Sequence, residues 1–147
     1  MTYLGAHLSS SRGFYKMGQA ALAIGANTFQ CFVRNPRGAK AKAIDPADLA
    51  GLRELMAEHG FGPIVAHAPY IMNPCSKDEG IRDLAARMMS EDLALMEHRP
   101  GNYYNFHPGS HVGQGLEQDH VPFLKKFLEC AGGLQGGPSF RRNCKLV

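Results

Sequence analysis

Three histidines stand where a short apolar run gives way to a loop: His7, His67 and His107. Tyr3-Leu4-Gly5-Ala6-His7 precedes the serine-rich turn Ser9-Ser10-Ser11-Arg12-Gly13, and Ile64-Val65-Ala66-His67 runs into Ala68-Pro69. Tyr103-Tyr104-Asn105-Phe106-His107 breaks at Pro108-Gly109 and reaches a fourth imidazole, His111, soon after. Runs of this kind, ended by Pro or Gly, read as strands that deliver a side chain to a loop. A parallel sheet would bring the three strand-end imidazoles to one edge, where neutral ring nitrogens suit zinc. A single such histidine is more often structural; the equivalence of three positions is what points to metal. A catalytic zinc takes three protein ligands and a water, and phosphate-cleaving clusters also use bridging carboxylates. The expected strand ends supply neither Asp nor Glu. His107 and His111 share the four-residue spacing of a helical metalloprotease motif, but Pro108-Gly109 breaks any helix there and no Glu follows His107.

The elements that must position these residues alternate in type. After a first strand over residues 3–7, Phe14, Met17, Ala21 and Ile24 recur at helical spacing, with Gly25 placed as a C-cap. A second strand over 28–33 leads into the loop Arg34-Asn35-Pro36-Arg37-Gly38. Asp45 followed by Pro46 is a strong helix start, Leu49, Leu52 and Met56 form the apolar stripe, and His59-Gly60 ends it. A third strand over 63–68 precedes a long helix from about 78 to 98, expected to bury Ile81, Leu84, Met88 and Leu95 and to turn its acids and arginines to water. The fourth strand carries His107. Short strands alternating with helices imply an α/β fold, a parallel sheet with covering helices, either open or part of a barrel. Beyond Glu117 the pattern fails: no fifth apolar strand is expected, glycines crowd residues 132–137, and 118–147 reads as an atypical, frame-disrupted or disordered tail.

Composition sets broader bounds. A chain of 147 residues, 44% hydrophobic, fits one domain with a buried core. Sixteen basic against 13 acidic residues give +3, a balance that favours a polyanion mildly and decides little. Cys31, Cys75, Cys130 and Cys144 show no CxxC spacing, so neither a zinc ribbon nor a redox pair is indicated. The longest apolar stretch, near residues 20–26, is too short to span a bilayer, and a cytoplasmic protein with no membrane partner is expected. Arg34, Arg37, Lys40 and Lys42 form a basic loop suited to phosphate, and Tyr70 with Ile71 follows His67 closely enough to rim the same site, where such a pair can stack on or wedge between bases.

Tyr3-Leu4-Gly5-Ala6-His7, Arg34-Asn35-Pro36-Arg37, His67-Ala68-Pro69-Tyr70 and Asn105-Phe106-His107-Pro108-Gly109-Ser110-His111 together resemble the N-terminal part of the endonuclease IV family, over about residues 1–117. The resemblance implies a TIM-type (β/α) barrel, three zinc ions, and hydrolysis of the phosphodiester 5' to an abasic site in double-stranded DNA during base excision repair. Catalysis in such enzymes is metal-assisted, with no side-chain nucleophile or base. By position, His67 and His107 match two ligands of one zinc, and His7 matches a site-floor histidine that is not a ligand. Arg37, Tyr70 and Ile71 fall where the family inserts side chains into the opened duplex, with Ile71 in place of the more usual leucine. Asn35 matches a position close to DNA.

Downstream of Gly115 the chain has no counterpart of the family's bridging glutamate, Asp-x-x-His pair or remaining ligands. At most one incomplete zinc site is therefore expected. Only the first four or so strand-helix units of a barrel of about 250 residues are present. Open barrel edges invite self-association. Two other readings share these features: a xylose isomerase-like metal-dependent sugar enzyme, and a non-catalytic half-barrel that binds DNA or zinc.

Overall fold

Among the described residues, three strand-helix units and two further strands form one parallel sheet with the helices on one side. The computed structural model describes residues 1–41, 43–96 and 102–109, together with the backbone of 144–146. The order is β1 (Gly5–Leu8), α1 (Phe14–Ala23), β2 (Thr28–Phe32), α2 (Pro46–Glu58), β3 (Val65–His67), α3 (Glu79–Met96), β4 (Asn102–Asn105) and β5 (Cys144–Leu146). The strands lie in sequence order, and every adjacent pair is parallel. Register places His7 beside Gln30, Phe32 beside His67, and His67 beside Asn105, so these side chains share one face of the sheet.

The two faces differ. Phe29, Cys31, Ala66, Asn102 and Tyr104 turn under the helices and are buried. Thr28, Gln30, Phe32, Val65, Tyr103 and Asn105, on the opposite face, are only half-buried. The helix-side core forms two clusters. One joins Phe14, Met17, Ala21, Phe29, Leu52, Leu55 and Met56 beneath α1 and α2; the other joins Ala66, Met72, Ala85, Met88, Met89, Leu93, Met96 and Tyr104 around α3. Burial pushes the Cys31 thiol up to about 12, leaving it a protonated core residue.

Local signals act as expected at α2. The Asp45 carboxylate accepts from the Ala47 N–H at 2.9 Å, Pro46 occupies the first turn, and Gly60 at φ 63° closes the helix. Helix α1 is capped from elsewhere: its own Gly13 has no side chain, and Asp48 of α2 accepts from the Phe14 N–H at 2.6 Å and the Tyr15 N–H at 2.9 Å. One carboxylate thus satisfies two orphan donors and complements the positive end of the helix dipole. Asp48→Ala is expected to cost about 1–2 kcal/mol in urea denaturation, and a loss below a few tenths would show that water replaces the carboxylate without penalty.

Three expectations are corrected. The buried stripe of α3 is Ala85, Met88, Met89, Asp92, Leu93 and Met96; Ile81 is 41% exposed, while Leu84 and Leu95 are half-buried. Not all of its acids face water either, because Asp92 lies in the core. A carboxylate on the core face interrupts the apolar stripe and shifts the apparent period toward the flanking Ile81, Leu84 and Leu95. A fifth strand does exist: Cys144, Lys145 and Leu146 pair in parallel with Asn102, Tyr103 and Tyr104. Three residues beside two arginines are too short and too basic a run to read as a strand. The rest of 118–147, with His111 and Lys42, lies outside the described residues. Among the described residues no helix is long and apolar enough to cross a membrane.

Candidate functional site

His67 is the last residue of β3 and is 6% exposed. Its Nδ1 lies 2.6 Å from the Ala68 carbonyl oxygen. A carbonyl only accepts, so this bond keeps the proton on Nδ1 and leaves the Nε2 lone pair free to bind a cation. His107, two residues past β4, is exposed, and its ring centre is 5.1 Å from that of His67. His7 stands apart from this pair. Its ring packs on Phe32 at 4.7 Å, and Phe32 in turn lies 5.1 Å from His67 and 5.2 Å from Tyr70. Burial, with a smaller contribution from His67, lowers the His7 pKa and keeps its imidazole neutral. Of the three histidines expected at strand ends, only His67 is the last residue of its strand: His7 is followed by Leu8 in β1, and His107 lies in the loop after β4, which stops at Asn105 before Pro108 breaks the chain. Among the described residues no three His, Cys, Asp or Glu side chains cluster as a metal site.

His107 is held by stitching between the loops after β3 and β4. The Cys75 N–H donates to the Pro108 carbonyl at 3.2 Å. Gly109 adopts φ 87°, and a Cβ there would land on the Asn73 side-chain oxygen and 3.0 Å from the Asn73 Cα. Only glycine allows both this backbone conformation and this approach.

The rim is built by the loops after β2 and β3. Asn35 accepts from the Arg37 N–H through its side chain at 2.9 Å and from the Gly38 N–H through its backbone at 3.1 Å. That turn presents Asn35 and Arg37 to solvent. The Tyr70 N–H donates to the Pro36 carbonyl at 2.9 Å, joining the two loops. Tyr70 is 63% exposed and Ile71 40% exposed, while their neighbour Met72 is buried as an anchor. All four rim positions singled out in the sequence thus lie on connected loops at the carboxyl end of the sheet.

Arg34 leaves this group. Instead of facing phosphate it is 3% exposed and wholly engaged inside the protein. Its Nε donates to Asp92 at 2.7 Å, one terminal nitrogen to the Ala39 carbonyl at 2.5 Å, and the other to the Met88 carbonyl at 3.0 Å and Glu91 at 3.1 Å. The Tyr104 hydroxyl donates to the second Asp92 oxygen at 2.7 Å. Burial alone would lower the Arg34 pKa, but the bonds and charges of Asp92 and Glu91 hold it above the ordinary value. The available signals were indirect: an acid inside the α3 pattern and a tyrosine on the helix-facing side of β4. Phe32, which joins His7, His67 and Tyr70, was also missed, although strand alternation places it on the histidine face.

Residues 19–132 match the model of the xylose isomerase-like TIM barrel family. The chain belongs to that family. Within the xylose isomerase-like TIM barrels, a protein of Akkermansia muciniphila named probable endonuclease 4 is 61% identical over 118 residues, covering 80% of this chain and 43% of the relative. One of Alkaliphilus oremlandii with the same name is 56% identical, covering 80% and 42%. The crystal structure of endonuclease IV from Thermus thermophilus superposes with a TM-score of 0.80 at 26% identity, over 99% of this chain and 51% of that one. The chain therefore spans under half the length of the curated relatives it matches. The resemblance to endonuclease IV read from the four motifs is borne out, and so is an incomplete barrel as the fold. D-allulose 3-epimerase from Methylomonas sp., at 12% identity and a TM-score of 0.56, shares the fold alone.

Proposed function

We propose that this chain is the N-terminal half of a zinc-dependent apurinic/apyrimidinic endonuclease, a cytoplasmic DNA repair hydrolase that cleaves 5' to abasic sites in duplex DNA. The observation that carries this reading is the His67-His107 pair, with ring centres 5.1 Å apart. Zinc-nitrogen bonds of about 2.0–2.1 Å at tetrahedral angles put the ring centres of two imidazoles on one ion about 5 Å apart, so the pair fits as part of a zinc site. The Nδ1-carbonyl bond of His67 supports it further, because metal-bound histidines are commonly oriented in this way. Zinc, when bound, supplies Lewis-acid stabilisation of charge on a phosphate and a lowered pKa for water.

The chain's own residues then bind and orient. Arg37 and Asn35 lie on the loop that faces the phosphate backbone, and Tyr70 and Ile71 supply a stacking and wedging surface for the gap an abasic nucleotide leaves. The half-exposed sheet face and open edges favour self-association.

Two measurements test the proposal. Zinc binding to the purified chain should weaken at least about tenfold in both His67→Ala and His107→Ala; unchanged affinity in both would place any zinc elsewhere. Abasic duplex should bind in preference to intact duplex and to a monosaccharide, with little or no zinc-dependent incision. Robust incision lost in His107→Ala would show that this chain is an active enzyme by itself, and monosaccharide preference would move it to the sugar-metabolising branch of the fold.

A further inference from the structure

We infer that Arg34 and Asp92 are positioning residues, which fix the loop carrying Asn35 and Arg37 and align it with the strand that delivers His107. This inference rests on the proposed DNA-binding rim for its functional meaning.

The geometry is that of a clamp. Arg34 stands near the start of the loop after β2, and its guanidinium folds back across residues 35–38 to the carbonyl of Ala39. Residues 35–38 are thus a short arch with both feet held by one side chain. The remaining guanidinium donors fasten the arch to α3 through Asp92, Met88 and Glu91. Asp92 is 2% exposed and uses both oxygens, one for Arg34 and one for the Tyr104 hydroxyl on β4. Three positions beyond Tyr104 in the chain stands His107. A single buried carboxylate therefore joins the arch bearing Arg37 to the strand that leads to one histidine of the proposed zinc site.

The chemistry suits positioning rather than ligand contact. The guanidinium has its donors directed at protein oxygens in fixed directions, and a planar fork loses little freedom in making several such bonds. Arg34 is too deeply buried to meet a phosphate. Arg37, three residues on, is exposed at the crown of the arch. The two arginines of Arg34-Asn35-Pro36-Arg37 divide the work: one builds the loop and the other is displayed by it.

The experiment compares three versions of the whole chain by amide hydrogen exchange, thermal melting and binding to an abasic duplex. In the combined Arg34→Met, Asp92→Leu, Tyr104→Phe chain, apolar groups replace the network without leaving a buried charge alone. Expected are a melting temperature close to the parent's, exchange at Gly38 and Tyr70 faster by at least about tenfold, and protected Leu49 and Phe61 amides. Duplex affinity should fall about tenfold with the loosened arch. The Arg34→Lys chain keeps the charge beside Asp92 but cannot span to Ala39, and should loosen Gly38 while melting near the parent temperature. It also covers the case in which the triple variant does not fold. Unchanged Gly38 and Tyr70 exchange in these variants would overturn the inference, leaving the network a support of the core alone. Should the parent chain bind no duplex, the DNA-binding reading fails, while the exchange rates still decide whether Arg34 and Asp92 hold the arch.

Discussion

Asp92→Ala is expected to lose about 3–5 kcal/mol of folding stability, the usual cost of removing one partner from a buried ion pair. The substitution leaves the Arg34 guanidinium 3% exposed with no carboxylate on its Nε, and deprives the Tyr104 hydroxyl of its acceptor. Glu91 does not substitute, because its side chain is 42% exposed and it reaches only one terminal nitrogen of Arg34, leaving Nε without an acceptor. A small domain holds a total stability of about 5–15 kcal/mol, so this one change could leave it barely folded. Urea denaturation of parent and variant measures it. A loss under about 1 kcal/mol would mean that water enters and solvates Arg34. The same residue replaced together with its partners by apolar groups should cost far less, since the penalty belongs to the charge left behind.

The second large effect is expected at Gly109. In Gly109→Val a β-branched residue must hold φ 87°, and its Cβ meets the Asn73 side chain and backbone. Backbone strain alone is worth about 1–3 kcal/mol, and relief requires the loop after β4 to withdraw from the loop after β3. The Pro108 carbonyl then leaves the Cys75 N–H, and His107, next to Pro108, moves away from His67. The variant should match His107→Ala in its weakened zinc binding while retaining both imidazoles. Nuclear magnetic resonance of the two rings distinguishes displacement from unfolding: their mutual ring-current shifts should vanish while those of Phe29 and Phe61, 6.1 Å apart in the core, persist. Parent-like zinc affinity would show that the loop tolerates a side chain.

How much of this could be read from the sequence depended on whether a signal was local. Asp45 before Pro46 and Gly60 after Glu58 are short-range devices, and α2 begins and ends where they say. The end of β3 at His67 was legible for the same reason, since Pro69 closely follows it, whereas β4 stops at Asn105, two residues before the His107 that Pro108-Gly109 marked. What escaped was decided across the fold. Asp48 looks like an ordinary first-turn acid of α2, yet its partners are 33 and 34 positions away in α1. Arg34 looks like one basic residue among several in a loop, and only its proximity to Asp92, 58 positions on, turns it inward. A one-dimensional pattern cannot show that two opposite charges cancel in a core. Nor could it show that Phe32 stands between His7 and His67, because that separation follows from strand register.

The strict sequence order of the strands, from β1 to β5, has a kinetic meaning. Each strand pairs with the one made just before it, and the clusters beneath the helices are assembled from neighbouring units. Contacts of modest sequence separation close quickly, since little chain must be ordered to reach them. On a ribosome that adds about 5–20 residues per second, β1, α1, β2 and α2 can consolidate their shared core while α3 is still being synthesised. The sheet thus grows by addition at one edge, and the newest strand always presents its open side to the chain that has yet to emerge.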